Sequence, residues 1–293
     1  MKTPALVAAV GVPLVASLAL AAPARVDRLE LPAGHLQGRP LAALFLAPPS
    51  SEAGPRPAVV MLHGCGGVGA RDEPSARHRL WADWLVERGY AVLFPLSFTS
   101  RGLTQVCTVP YAERSVRPRD RMADALAAHA WLAARPDIDA SRIVLWGFSH
   151  GGSTTLATLT AGAAARGRFS LAIAFYPGCS AFARAAERGE RLQLAAPLHI
   201  FIGEADDWTP AAPCHAWVAA LQRAGQPAAI VGYPGAFHDF DNPAGRLRVR
   251  ADVPNGVDPG KGVTVGPDPA AREDAKRRLA ELLPAADAGT AGR

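Results

Sequence analysis

The residues that could do chemistry begin with Ser149, set in Gly147-Phe-Ser-His-Gly151 directly after the apolar run 143–146. A serine between two glycines at this spacing, with a buried strand before it and a helix after it, is the pattern of a nucleophile elbow. The chain must reverse at the serine, and side chains at 147 and 151 would collide with the neighbouring strand or helix. Such a turn exposes the hydroxyl over the end of a sheet, above a helix N-terminus that favours developing negative charge. Residues 143–146 supply the strand and residues 153–159 the helix. Without that context the same residues would read as a Gly/Ser-rich connecting turn.

A serine nucleophile in this setting needs partners in the order Ser, Asp or Glu, His. Three of the eight histidines lie well beyond the elbow: His199, His215 and His238. His199 falls inside a strand and His215 in the first turn of a helix, where structural roles suffice. His238 stands in Gly235-Ala-Phe-His-Asp-Phe-Asp241, just past the last strand, and is the candidate base. For the acid, Gly203-Glu-Ala-Asp-Asp-Trp-Thr-Pro210 leaves the preceding strand at the same edge. Asp206 or Asp207 could accept the imidazole Nδ1 proton. Asp206 has the usual G-x-x-D offset, which leaves Asp207 as a helix-capping carboxylate. An oxyanion would require two main-chain N–H donors. The candidates are His150, after the nucleophile, and Cys65 in the flexible loop His63-Gly-Cys-Gly-Gly67. The His63 side chain reads as loop packing. This chemistry calls for no metal and no cofactor.

These residues need a frame, and the chain offers one. Strand patterns at residues 26–31, 41–46, 58–62, 90–94, 143–146, 171–175, 198–202 and 228–233 alternate with helical patterns at 76–88, 122–134, 153–159, 211–224 and 271–283. Alternation of this kind predicts a mostly parallel eight-stranded sheet with helices on both faces. In such sheets the chemistry gathers beyond the carboxyl ends of the strands. The long segments 99–118 and 243–265 are left as loops that wall the pocket.

The N-terminus has the three parts of a secretory signal peptide over residues 1–21: Met1-Lys2, an apolar stretch from Ala5 to Leu20, and Ala19-Leu-Ala21 as a small-x-small cleavage site. The apolar stretch is shorter than the roughly 20 residues that span a bilayer, and Pro13 interrupts it, so a retained anchor is the weaker reading. The reading is an exported protein, periplasmic or secreted, with no membrane association after cleavage. Residues 22–284 make one domain, large enough for a sizeable core, and the Ala/Gly-rich residues 285–293 make a flexible tail. The net charge of +5 is carried almost wholly by arginine, with no basic run or aromatic-interleaved strip, which argues against nucleic-acid binding. The sequence leaves the oligomeric state open.

His63-Gly-Cys-Gly-Gly67, Tyr90-Ala-Val-Leu-Phe-Pro95 with Ser97-Phe98, Arg101-Gly102, Gly147-Phe-Ser-His-Gly-Gly-Ser153, Tyr176-Pro-Gly-Cys179, Gly203 to Pro210 and His238-Asp-Phe-Asp241 together resemble the dienelactone hydrolase family of α/β-hydrolases, over most of residues 40–283. The resemblance implies the α/β-hydrolase fold and places Ser149, Asp206 and His238 at the triad positions. Two departures matter. The namesake enzymes use a cysteine nucleophile held by a glutamate, whereas here the nucleophile is Ser149 and the loop His63 to Gly67 has no carboxylate. The expectation is therefore a serine hydrolase acting on a small or medium carboxylic ester as its small-molecule partner, rather than on a dienelactone. A peptidase or acyltransferase on the same scaffold is the alternative, and a catalytically silent binding protein the reading from another class.

The four cysteines, an even number in an exported chain, predict disulfides. The sheet order implied by the family puts the strand before Cys65 beside the strand before Cys107, and the strand before Cys179 beside the strand before Cys214. That order predicts the pairs Cys65–Cys107 and Cys179–Cys214. Four buried, reduced thiols are the plain alternative.

Overall fold

The computed structural model describes residues 24–49, 54–190 and 192–286. The predicted signal segment, residues 1–21, lies outside the described residues. Eight strands form one sheet: β1 (Asp27–Leu31), β2 (Leu41–Leu46), β3 (Arg56–Leu62), β4 (Ala91–Pro95), β5 (Ile138–Phe148), β6 (Leu171–Phe175), β7 (Leu198–Gly203) and β8 (Ala228–Tyr233). Their order across the sheet is β1-β2-β4-β3-β5-β6-β7-β8. Only β2 runs against its neighbours; every pairing from β4 to β8 is parallel. Helices α1 (Ala76–Glu87), α2 (Met122–Ala133), α3 (His150–Leu159), α4 (Ser180–Glu187), α5 (Ala211–Arg223) and α6 (Pro269–Leu282) cover both faces of the sheet.

The central strand shows why the sheet is buried on both sides. Along β5, Trp146 and Phe148 meet aromatic rings of α1, through Trp81 and His78. Gly147, between them, faces α3, where a Cβ would overlap the Gly151 carbonyl oxygen and the Thr155 hydroxyl. Both alternations must be apolar or small, which is why residues 143–148 read as one continuous apolar run. Trp81, Trp146, Phe175 and Phe201 fill the α1 side, all essentially without solvent contact.

Several elements differ from expectation. Strand β5 starts at Ile138 rather than 143; Ile138 is buried and pairs with Arg56 of β3, but residues 140–142 are exposed and the register shifts before Ile143 pairs with Ala58, so no continuous apolar run marks the start. Helix α3 starts at His150 rather than 153, because close packing against β3 and β6 holds Gly151 and Gly152 in the helix in spite of their weak propensity. Helix α4 went unread, being only eight residues long. A second pair of strands, β9 (Arg248–Arg250) and β10 (Val263–Val265), stands in the segment expected to be loop. Each is three residues long, too short for its alternation to stand out. Of the tail expected to fray, Ala286 donates its N–H to the Arg88 carbonyl, and residues 287–293 lie outside the described residues.

Both predicted disulfides are formed, Cys65–Cys107 and Cys179–Cys214, each with Cα atoms 4.9 Å apart. Cys214 lies in the first turn of α5 and Cys107 twelve residues beyond β4, so the bridges join loops and a helix rather than strand ends. Closing loops of 42 and 35 residues stabilises the fold by about 4 kcal/mol apiece in the chain-entropy picture. Alkylation of the purified protein without reductant should leave all four cysteines unmodified, and peptide mapping should recover the two linked pairs. Four alkylated cysteines, or a link between Cys65 and Cys179, would contradict the structure.

Candidate active site

Ser149 leaves β5 with φ 52° and ψ −113°, a left-handed backbone conformation that costs a non-glycine residue about 1–3 kcal/mol. The surrounding structure determines it. The Ser149 N–H donates to the Phe175 carbonyl of β6 at 2.9 Å, and its own carbonyl accepts from Ser153 N–H at 2.8 Å in the first turn of α3. A Cβ at Gly151 would overlap the carbonyl oxygens of Leu62 and His63, so α3 can press against the end of β3 only with glycine there.

His238 and Asp206 arrive from neighbouring strand ends. The loop after β8 crosses the end of β7, where Ala205 N–H donates to the Ala236 carbonyl at 3.0 Å and a Cβ on Gly203 would strike that same carbonyl. His238 Nε2 lies 2.9 Å from Ser149 Oγ, and its Nδ1 lies 2.7 Å from Asp206 Oδ2. Asp206 is held in turn: its Oδ1 accepts from the Trp208 and Thr209 N–H groups at 2.9 and 2.8 Å, and Thr209 Oγ1 lies 2.9 Å from Oδ2. Such bonds leave the carboxylate one orientation. The imidazole sits between the rings of Tyr176 and Trp208, with centroids at 4.5 and 4.7 Å. Serine, histidine and aspartate are all buried, so the chain of hydrogen bonds runs through a low-dielectric interior.

Asp207 is not a helix cap. Its carboxylate accepts the N–H and hydroxyl of Thr264, both at 2.7 Å, and so ties β10 to the loop after β7. Helix α5 begins at Ala211, with Pro210 at the N-cap position and no side-chain cap. His215 pairs with Glu204 at the surface, and His199 is half-buried within β7. His63 packs edge-on against Phe98, with Nδ1 2.8 Å from the Gly64 carbonyl.

Of the two candidate oxyanion donors, His150 opens α3, where a first-turn N–H has no intrahelical acceptor. Cys65 follows His63 and Gly64 past the end of β3; its carbonyl accepts from Val106 N–H at 2.8 Å, and the disulfide to Cys107 braces the loop from the same side. A groove of about 970 Å³ runs beside α3, lined by Ser153, Ala157, Gly178, Phe182 and Trp217, with Tyr111 on its wall. Among the described residues there is no group of three His, Cys, Asp or Glu side chains placed to hold a metal ion.

The sequence missed several side chains that hold the site. Asp241, fully buried, accepts from Tyr176 Oη at 2.6 Å and Trp81 Nε1 at 2.7 Å, pinning the end of the His238 loop to α1 and to the turn after β6. Arg77 of α1 donates to Tyr176 Oη at 3.1 Å and forms an ion pair with Asp239. Asp241 belonged to a motif already singled out, but nothing in the sequence joins it to Trp81, 160 residues away.

The model of the dienelactone hydrolase family matches residues 41–286. The chain belongs to the dienelactone hydrolase family. Among solved structures, a putative dienelactone hydrolase from Klebsiella pneumoniae is similar with a TM-score of 0.64 at 20% identity, covering 88% of this chain and 98% of its own. A dienelactone hydrolase-like promiscuous phosphotriesterase from metagenomic libraries gives 0.62 at 20% identity, covering 89% and 98%. Esterase 2 of Thermogutta terrifontis gives 0.57 at 22% identity, covering 92% and 95%. At these identities the likeness shows the α/β-hydrolase fold; the family makes the chain a hydrolase. No curated protein sequence matches the chain.

Three histidines at this end of the fold are buried and neutral. Burial drives His63 and His150 well below the usual histidine range, with Arg121 adding to it, and lowers His78 from 6.5 to about 3, with Arg77 adding to it. A group whose folded value lies below its unfolded one binds fewer protons when folded. Its contribution is therefore complete above the unfolded value and is lost as pH falls through the window between the two, from 6.5 toward 3 for His78. The unfolding free energy should drop below pH 6.5, with up to about 1.4 kcal/mol per pH unit from each histidine, before the carboxylates titrate. Urea midpoints at three pH values between about 7.5 and 5 check it; a flat series would show that these side chains are not buried neutral.

Proposed function

We propose that the chain is an exported serine esterase that cleaves small or medium carboxylic esters through an acyl-enzyme. The observation that carries the reading is the continuous hydrogen-bonded chain from Ser149 Oγ through His238 to Asp206. Ser149 Oγ attacks the ester carbonyl while His238 Nε2 takes its proton, and Asp206 stabilises the imidazolium through Nδ1–H. The carbonyl oxygen becomes an oxyanion held by the main-chain N–H groups of Cys65 and His150. Collapse breaks the bond to the alkoxy group, which leaves as the alcohol with the proton from His238. Water then attacks the acyl-enzyme by the same route, giving the acid and free Ser149. Export is supported by the N-terminal sequence pattern and by two disulfides, which persist in oxidising compartments. Among the described residues no helix is long and apolar enough to cross a membrane.

On p-nitrophenyl acetate, Ser149→Ala should abolish turnover with the fold intact, and His238→Ala should do nearly as much, because triad members act as a unit. Asp206→Asn should cost roughly 1,000- to 10,000-fold in kcat, since an amide NH₂ facing His238 selects the wrong tautomer. Asp207→Asn should be mild, for an asparagine can still accept from Thr264 N–H and donate to its hydroxyl. A folded Ser149→Ala variant that keeps wild-type turnover would overturn the proposal, and the reverse order of the two aspartates would overturn the assignment of the acid.

A further inference from the structure

A second buried charge stands beside the elbow, and the triad does not use it. Arg121, at the start of α2, has no solvent contact. One nitrogen, Nη1, donates both its protons at 2.9 Å, one to the His63 carbonyl and one to His150 Nδ1. Those acceptors belong to the two segments that present the Cys65 and His150 main-chain N–H groups. The guanidinium lies over the Phe98 ring at 5.0 Å, and the His63 and His150 rings meet that same phenyl edge-on at 4.8 and 5.6 Å. Phe98 is thus the common floor of the two segments and Arg121 the link between them.

The charge on Arg121 is only partly balanced, by the field of Asp124, which Arg101 shares. Its Nε and Nη2 have no hydrogen-bond partner, and among the described residues no carboxylate forms an ion pair with it. Asp124, one turn along α2, is engaged by Arg101 through two hydrogen bonds and by His35 through a third. A buried cation without a direct ion-pair partner destabilises the fold. Tying one carbonyl and one imidazole together does not require a full charge, since a neutral amide donor would serve. The charge has a use if a negative one appears nearby during turnover, because in a dry interior the attraction is strong and exists only while the oxyanion does. The same contact fixes His150. With Nδ1 accepting from Arg121, its imidazole is the neutral Nε2–H tautomer, so it offers no free lone pair to compete with His238 for the Ser149 proton.

We propose that Arg121 is the positioning residue of the oxyanion hole, bridging the two segments that carry its amides and setting a fixed positive charge beside them. This rests on the esterase reading above. In Arg121→Met, kcat for p-nitrophenyl acetate should fall about 10- to 100-fold with KM within about threefold, somewhat less than the loss of an oxyanion donor itself. The inhibition constant of an arylboronic acid, which forms a negatively charged tetrahedral adduct on the serine, should rise by the same factor as kcat/KM falls. Arg121→Lys keeps the charge and loses the fork, and should fall between the two. A merely structural role would not make boronate affinity track kcat/KM.

A folded Met variant within twofold of wild type would overturn the inference, as would a loss expressed in KM with boronate affinity unchanged. Should the Met variant not fold, the Lys variant decides. A loss of threefold or more with proportional weakening of the boronate supports the role, and wild-type values overturn it. A wild-type protein inert toward ester and boronate alike would overturn the esterase reading and this one together; an active wild type with indifferent variants overturns this one alone.

Discussion

The structure depends on one close approach, that of α3 to the ends of β3 and β5. Backbone lies against backbone there: Gly147 faces the Gly151 carbonyl, and Gly151 faces the carbonyls of Leu62 and His63. The approach forces Ser149 into its left-handed turn and leaves the first-turn N–H groups of α3 without intrahelical acceptors. Strain of a few kcal/mol at one residue is tolerable because the neighbouring strands and the helix all lock the same conformation. A methyl group at 147 or 151 would push the helix away, and the Ser149 hydroxyl and the His150 N–H would move together.

Around that fixed point the remaining groups come from loops, which need fastening of their own. The Asp206 carboxylate is fastened by two main-chain N–H groups, and the His238 loop by the buried Asp241 bonds to Tyr176 and Trp81. Asp207 fastens β10, whose Val265 bridges to His238. The Cys65 loop is closed by a disulfide, and Arg121 couples it to the elbow. Apart from the local turn that holds Asp206, each fastening joins segments far apart in sequence, so the site forms only when the sheet has formed.

What could be read from the sequence follows the same division. The strands, the elbow and the histidine past the last strand were legible because buried parallel strands are apolar on both faces and turns next to them demand glycine, whereas the order of the strands across the sheet came from the family resemblance. Asp206 was separable from Asp207 only by an offset, and the role given to Asp207 was wrong, because its partner Thr264 lies in a strand too short to show a pattern. Arg121 and Trp81 were invisible as site residues. An arginine before an amphipathic helix reads as a solvated surface charge, and nothing local records that its side chain turns inward onto Phe98.

The central claim is that Ser149 is an activated nucleophile, and a fluorophosphonate probe followed by peptide mapping tests it most directly. The account predicts a single phosphonyl adduct on Ser149, fast in the wild type and absent from Ser149→Ala. A folded protein that does not react, or that carries the adduct on another residue, would contradict it.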